Sequence, residues 1–339
     1  MFQLTIHSSG VQSQIAVSES YRNLTRYLPV GKPVIVITDA NILNHYGNFF
    51  RVWPVIEIGT GEKNKTLDTI AHVYNRLLEY NADRNSFIVA VGGGLVCDVA
   101  GFAASTYMRG ISFGFVSTTL LSQVDASVGG KNGVNFGGFK NMIGTFNQPQ
   151  FVLCDTSMLQ TLPEREFISG FAEIVKAAAI RDAGLFAYME QNAEKALTRN
   201  PEVIQHLVVE SVKIKAAVVE QDEREQGERR ILNFGHTFGH AVEALTGISH
   251  GEAVSIGMMM AARRSIIECG FPKTHFDKLE RLLVRLGLPV TTDLPPETIH
   301  RTLLKDKKRE SDAIHFVLLT EIGKTIIRKT SIEYLKPQT

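Results

Sequence analysis

The segment Asn233-Phe234-Gly235-His236-Thr237-Phe238-Gly239-His240, followed closely by His250-Gly251-Glu252, gathers three of the chain's ten histidines. On a helix, His236 and His240 project from one face, one turn apart. His250 follows a break marked by Gly247. Imidazoles this concentrated suit metal binding or proton transfer. The plainer reading is a satisfied core or surface pair. The glycines beside both histidines, and the third histidine, favour a site.

A carboxylate that could complete such a site lies in Gly170-Phe171-Ala172-Glu173-Ile174-Val175-Lys176. Burying Glu173 in this apolar helix is costly without a partner, and a metal would provide one. The competing reading is an exposed Glu173–Lys176 ion pair, three residues apart. Glu173, His236 and His250 would form the two-imidazole, one-carboxylate set of a catalytic zinc site with open positions. A helix from His236 to Leu245 rises about 14 Å, and the five steps onward to His250 span about 17 Å if extended. His250 can therefore return to the level of His236 only if that connection runs back almost straight.

A second kind of chemistry is written in glycines. Ser86-Phe87-Ile88-Val89-Ala90-Val91 runs into Gly92-Gly93-Gly94, then into a helix carrying Asp98 and Gly101. A turn of this kind lets a pyrophosphate approach the backbone at a helix N-terminus. Cys97 stands at the third position of the GxGxxG spacing, so a tight structural turn is the rival. Thr38-Asp39, Gly61-Glu62-Lys63-Asn64-Lys65-Thr66 and Ser117-Thr118-Thr119 each follow a strand signal. All would line one sheet edge, where Asp39 could hold a ribose hydroxyl. Together they favour a dinucleotide. Arg109-Gly110, Asp125-Ala126-Ser127-Val128-Gly129-Gly130-Lys131-Asn132-Gly133 and Gly138-Phe139-Lys140-Asn141 place basic residues in Gly-rich stretches expected to be flexible loops suited to anions.

These residues need elements to hold them. Apolar, β-branched runs at Val34–Ile37, Val55–Ile58, Phe87–Val91 and Phe113–Val116 alternate with helical patterns at Leu67–Tyr80 and Leu95–Tyr107. That alternation predicts an α/β, Rossmann-like domain with a mainly parallel sheet covered on both faces. From Thr161-Leu162-Pro163-Glu164 onward, helical patterns dominate, at Phe167–Ile180, Pro201–Glu220, Phe234–Leu245 and Ala253–Cys269. The boundary is placed near 156, giving domains 1–156 and 157–339. Ala313–Leu319 and Thr325–Lys329 flank Ile322-Gly323 as a small hairpin. Asp222 to Arg230 reads as a solvated turn whose last arginines could face inward.

At 339 residues two domains are the default. A formal net charge of +1 argues against a nucleic-acid binder acting through bulk electrostatics. No basic-then-apolar leader opens the chain, and no apolar run reaches membrane-spanning length. Cys97, Cys154 and Cys269, widely spaced and odd in number, are expected as small, mostly buried, reduced thiols in a cytoplasm.

With these motifs in view, the chain closely resembles the 3-dehydroquinate synthase family of sugar phosphate cyclases, from about Thr38 to Leu319. The resemblance rests on Gly92-Gly93-Gly94 with Asp98 and Gly101-Phe102, on Tyr107-Met108-Arg109-Gly110, and on Thr118-Thr119-Leu120-Leu121. Asp125 to Lys131, Gly170 to Glu173, Asn233 to His236 and His250-Gly251-Glu252 complete it. It implies a lyase of the shikimate pathway dependent on NAD and on zinc or cobalt, usually a homodimer. The substrate would be 3-deoxy-D-arabino-heptulosonate 7-phosphate and the products 3-dehydroquinate and phosphate. The implied route is transient oxidation, phosphate elimination, re-reduction and intramolecular aldol closure. By motif match, Glu173, His236 and His250 are implied as metal ligands. Asp39, Glu62, Lys65, Gly92, Gly93, Gly94, Asp98, Thr118 and Thr119 are implied around NAD, with Lys131 and Lys140 where cofactor and substrate meet. Arg109, Asp125, Asn141, Lys176, Lys215, Arg229, Asn233 and His240 are implied against substrate, and Lys307 or Lys308 beside them. His240 is assigned to proton relay, because a catalytic metal needs an open position. Leu95-Val96-Cys97, Ser117 and Asn132 depart from the family's usual residues and touch turn geometry. Two other readings are another sugar phosphate cyclase and a metal-dependent polyol dehydrogenase, which would release NADH.

Overall fold

The computed structural model describes residues 1–8, 11–307 and 313–335. The chain divides into two compact units, Met1–Leu162 and Pro163–Thr339. Among the described residues no helix is long and apolar enough to cross a membrane.

The first unit opens with an antiparallel pair, β1 (Phe2–Ser8) and β2 (Val11–Val17). Then follow β3 (Val34–Asp39), α1 (Ala40–Phe50), β4 (Val55–Ile58), α2 (Leu67–Glu79), β5 (Phe87–Gly92), α3 (Gly94–Thr106) and β6 (Ser112–Ser117). A hairpin of β7 (Lys131–Phe136) and β8 (Phe139–Phe146) precedes β9 (Phe151–Cys154). The main sheet runs β1-β2-β9-β6-β5-β3-β4 and is parallel from β2 to β4. β5 and β9 are buried along their whole length, which explains why their sequences are continuous apolar runs rather than alternating ones. Val36, Phe87, Val89, Val91, Val116 and Leu153 pack in one core cluster with Phe50 and Tyr21. Because β6, β5, β3 and β4 are neighbours in that order, the segments after their carboxyl ends share one edge. Thr38-Asp39, Gly61–Thr66, Gly92–Gly94 and Ser117–Thr119 are therefore brought together, as the α/β rule requires.

The flexible-loop expectation for Lys131, Lys140 and Asn141 is corrected. These residues lie on a paired hairpin, with Gly133 opposite Gly144. A Cβ at Gly133 would stand 2.6 Å from the Ile143 carbonyl oxygen, so the glycine admits the partner strand's backbone rather than loosening the chain.

The second unit is mostly helical: α4 (Glu164–Arg181), α5 (Ala183–Leu197), α6 (Pro201–Gln221), α7 (His236–Thr246), α8 (His250–Cys269), α9 (Lys273–Arg285) and α10 (Pro296–Lys307). The antiparallel hairpin β10 (Ala313–Glu321) and β11 (Lys324–Ser331) follows. α7 begins at His236 rather than Phe234 because Gly235 takes φ 81°, a left-handed conformation that interrupts the helix. α8 begins earlier than expected, at His250. Ser249 and Glu252 form a capping box, each side chain satisfying the other's backbone N–H. The Ser-x-x-Glu pattern that marks this start stands in the sequence.

Candidate functional site

α4 is buried from Phe167 to Ile180 apart from Ile168, and Glu173 sits midway along it, 2% exposed. Two contacts bring α8 onto the same stretch. The Gly251 N–H donates to Ser169 Oγ at 3.0 Å, one helical turn before Glu173. A Cβ on Gly251 would lie 2.0 Å from the Ser169 carbonyl oxygen, so only glycine permits this approach. Likewise a Cβ on Gly257 would lie 2.0 Å from the Gly235 carbonyl oxygen, which lets α8 close onto the start of α7. The glycines beside the histidines thus act by packing the helices.

The result is a convergence of three donors. His236 Nε2 lies 3.6 Å and His250 Nε2 3.4 Å from Glu173 Oε1. One ligand atom from each of Glu173, His236 and His250 falls within 4.8 Å of the others. The His236 and His250 rings are 5.3 Å apart, so the connection does run back as far as the expectation required. His240 lies on the same face, its ring 5.2 Å from His236 and 6.1 Å from His250, and is exposed outside the three-donor set.

Both readings of Glu173 and Lys176 hold in part. The ion pair forms, but it is buried, with side chains 1% and 3% exposed. Neither Glu173 oxygen receives a hydrogen bond of acceptable geometry; its neighbours are the ammonium and the two imidazoles at ion-pair range. Burial favours the neutral acid, yet Lys176 and then His250 outweigh it and hold Glu173 at about 2. Burial also opposes charge on His250, but Glu173 and Glu243 raise it to about 9. A buried carboxylate oxygen that converges with two imidazole Nε2 atoms is a donor set that suits a divalent cation.

Glu243 escaped the sequence reading. Its Oε2 stands 3.5 Å from His250 Nδ1, leaving Nε2 turned towards Glu173. Carboxylates behind metal-binding imidazoles orient the ring in this way. The available signal was position: Glu243 follows His236 and His240 on one face of α7.

In the turn that follows α6, Arg229 is 2% exposed, so this arginine does face inward. It donates to the Glu223 carbonyl. Asp222 organises the turn, accepting from the N–H groups of Gln226, Gly227 and Arg229 at 2.9, 2.7 and 3.0 Å. Burial would raise its carboxyl, but these donors and the Arg229 charge lower it. Glu225, at φ 59°, accepts from the Asn233 amide, and neither it nor Asp222 was singled out from sequence. Lys215 is buried on α6. Lys308 lies outside the described residues, as does the side chain of Lys307.

In the first unit, α3 starts at the glycine turn with Gly93 as its cap, so the cap residue offers no side chain to the helix's first N–H groups. That is the condition for an anion to bind there. The turn is also structurally tight: a Cβ on Gly92 would meet Val96 at 2.5 Å, and one on Gly93 would meet Thr119 at 2.8 Å. Lys65, 5% exposed, reaches the Asp98 carboxylate and Asn141 Oδ1, the latter at 2.5 Å. Asp39 caps α1, accepting from the Ile42 N–H at 3.1 Å. Thr38 is buried and donates to the Val91 carbonyl, so the strand-end carboxylate rather than the hydroxyl faces the edge. Met108 and Arg109 both take positive φ, 49° and 73°, an uncommon backbone for such residues that often marks a functional turn. Asp125 falls in a short π-helical turn, Ser122–Ala126.

The departing residues have structural places. Cys97 and Cys154 are buried free thiols, with burial pushing Cys154 up to about 12, and Cys269 is half-buried. Asn132 donates to the carbonyls of Gly130 and Asn147, fixing the start of the hairpin. The Ser117 carbonyl accepts from Gln123.

Comparison with known proteins matches residues 55–169 to the 3-dehydroquinate synthase N-terminal family model and residues 170–309 to the C-terminal one. A 3-dehydroquinate synthase of Dehalococcoides mccartyi is 40% identical over 98% of this chain and 97% of its own. Among solved structures, a 2-deoxy-scyllo-inosose synthase complexed with carbaglucose-6-phosphate, NAD+ and Co2+ superposes with a TM-score of 0.87 at 29% identity, covering 99% of both chains. A 2-epi-5-epi-valiolone synthase from Streptomyces hygroscopicus with NAD+ and Zn2+ bound gives 0.86 at 25% identity, covering 97% of this chain and 96% of its own. Matched by both family models, and by a relative along nearly its whole length, the chain belongs to the 3-dehydroquinate synthase family.

Proposed function

We propose that the protein converts 3-deoxy-D-arabino-heptulosonate 7-phosphate to 3-dehydroquinate and phosphate, as an NAD- and metal-dependent carbon–oxygen lyase. The observation that carries this reading is the buried Glu173 carboxylate, without a good hydrogen bond, facing His236 and His250. These three residues would hold zinc or cobalt, the metals in the two similar structures. When bound, the metal supplies Lewis acidity to the substrate hydroxyl that is oxidised. Bound NAD would supply reversible hydride acceptance, so that the overall conversion involves no net oxidation.

The chain's own residues do the rest. In the first unit, read as the NAD-binding domain, the uncapped start of α3 at Gly92–Gly94 receives the pyrophosphate. Asp39, Glu62, Lys65, Asp98, Thr118 and Thr119 surround the nucleotide, with Lys131 and Lys140 beside it. In the second unit, read as the metal- and substrate-binding domain, His240 carries protons at the oxidised hydroxyl, exposed one turn from the ligand His236. Lys176, Lys215, Arg229 and Asn233 hold the substrate's anionic groups, and Arg109, Asp125 and Asn141 make further contacts. Arg229, buried and always charged, suits a carboxylate or phosphate in a fixed orientation. A cytoplasmic homodimer completes the proposal.

The test is metal removal. Dialysis against a chelator should abolish phosphate release from the heptulosonate phosphate, and one equivalent of zinc or cobalt should restore it. Restoration should fail for Glu173→Gln. Full turnover by metal-free protein would overturn the reading.

A further inference from the structure

An asparagine amide can both donate and accept, so one side chain can join two segments. Asn135, in the strand reading Lys131-Asn132-Gly133-Val134-Asn135-Phe136, does this from a break in the hairpin ladder. The register of β7 and β8 shifts between Val134, paired with Ile143, and Phe136, paired with Phe139. Asn135 is thus opposed by more than one residue of β8, and its backbone is released from the regular ladder. Irregularities of this kind re-aim a side chain and often adjoin active sites.

The backbone N–H of Asn135 and both ends of its side-chain amide have partners. Its backbone N–H donates to the Lys65 carbonyl at 2.8 Å. Its amide nitrogen donates to Glu62 Oε1 at 2.8 Å, and its amide oxygen accepts from the Asn141 N–H at 2.8 Å. Lys65 closes the loop by donating to Asn141 Oδ1. Asn141 sits at φ 50°, a conformation uncommon for a residue with a side chain and held here by bonds on both its N–H and its amide.

We propose that Asn135 is a positioning residue. It ties the Glu62–Lys65 turn to the hairpin that carries Lys131, Lys140 and Asn141, and so sets the nucleotide side of the site before NAD arrives. The proposal rests on the reading of Glu62 and Lys65 as NAD contacts. Two consequences follow from the bond pattern. Asn135→Ala removes both side-chain bonds and frees the turn and the hairpin to move apart. Asn135→Asp keeps the backbone donor and the acceptor for Asn141, but sets a second carboxylate against Glu62.

The experiment is calorimetric titration of NAD into the full-length, metal-loaded protein, with bound metal per chain and the unfolding midpoint measured alongside. Each variant should bind NAD about tenfold more weakly, the scale of losing one hydrogen bond to a charged group, with metal content unchanged. A purely architectural role would lower the unfolding midpoint and leave the affinity of the folded protein intact. Unchanged affinity in both variants overturns the proposal. Should the alanine variant not fold, the aspartate variant decides alone, since it retains the hairpin bond. Wild-type protein that binds no NAD overturns the nucleotide reading itself, and the proposal with it.

Discussion

A carboxylate at Glu173 costs several kcal/mol to bury unless cations face it, and Lys176, His236 and His250 stand around it. That geometry divides the histidines into ligands, His236 and His250, and a proposed proton carrier, His240. His236→Ala and His250→Ala should yield protein without bound metal on elemental analysis. His240→Ala should keep its metal while turnover falls by about 10²–10⁴, the usual cost of a missing proton carrier. Loss of metal from the His240 variant would make that residue a ligand instead. Glu243→Gln should weaken metal affinity by about 10–100-fold in a chelator competition, as is typical of a lost orienting carboxylate. Glu173, His236 and His250 were legible because their types are expensive where they stand. Glu243, Glu225 and Asp222 were not, since an acid on a polar helix face or in a charged turn looks like ordinary surface. What gives them roles is which donor they meet, and that is set by folding.

The elements act mainly by how closely they approach. α8 can lie against α4 only because Gly251 has no side chain, and the Ser169–Gly251 bond then fixes the level of His250 relative to Glu173. Gly251→Ala should destabilise the protein by about 1–3 kcal/mol in urea unfolding, the usual cost of overpacking. Metal affinity should fall in parallel. An unchanged metal affinity would show that the helix approach does not set the site. The turn from Asp222 to Arg229 gives a pH prediction. The Asp222 carboxyl is held below its usual value in the folded state, so its contribution is present above about pH 4, its unfolded value. That contribution disappears as pH falls through the lower folded value. Asp222→Asn should be less stable at neutral pH and lose less than wild type on acidification, by urea titration at both. Parallel losses in the two proteins would contradict this. Strands β3 to β6 and most long helices could be read from periodicity. The hairpin of β7 and β8 could not, because its glycines signal looseness in sequence while serving backbone contact in the fold.

At the scale of the whole molecule, each unit presents one half of the chemistry. The first gathers four strand-end segments and an uncapped helix start at one sheet edge. The second gathers Glu173, His236 and His250. The α/β-then-helical order was legible because strand and helix periods alternate in one half and helical periods dominate the other. The β1–β2 pair was missed, although Phe2, Leu4 and Ile6 alternate with Gln3, Thr5 and His7 in the pattern of a half-buried strand. What separates a cyclase from a polyol dehydrogenase is the fate of the hydride. The most direct measurement supplies purified, zinc-loaded protein with one equivalent of NAD and a large excess of the heptulosonate phosphate. Phosphate, dehydroquinate and NADH are followed together. The account predicts many equivalents of phosphate and dehydroquinate in equal amounts, with no accumulation of NADH. NADH formed in proportion to substrate consumed, or no phosphate at all, would contradict it.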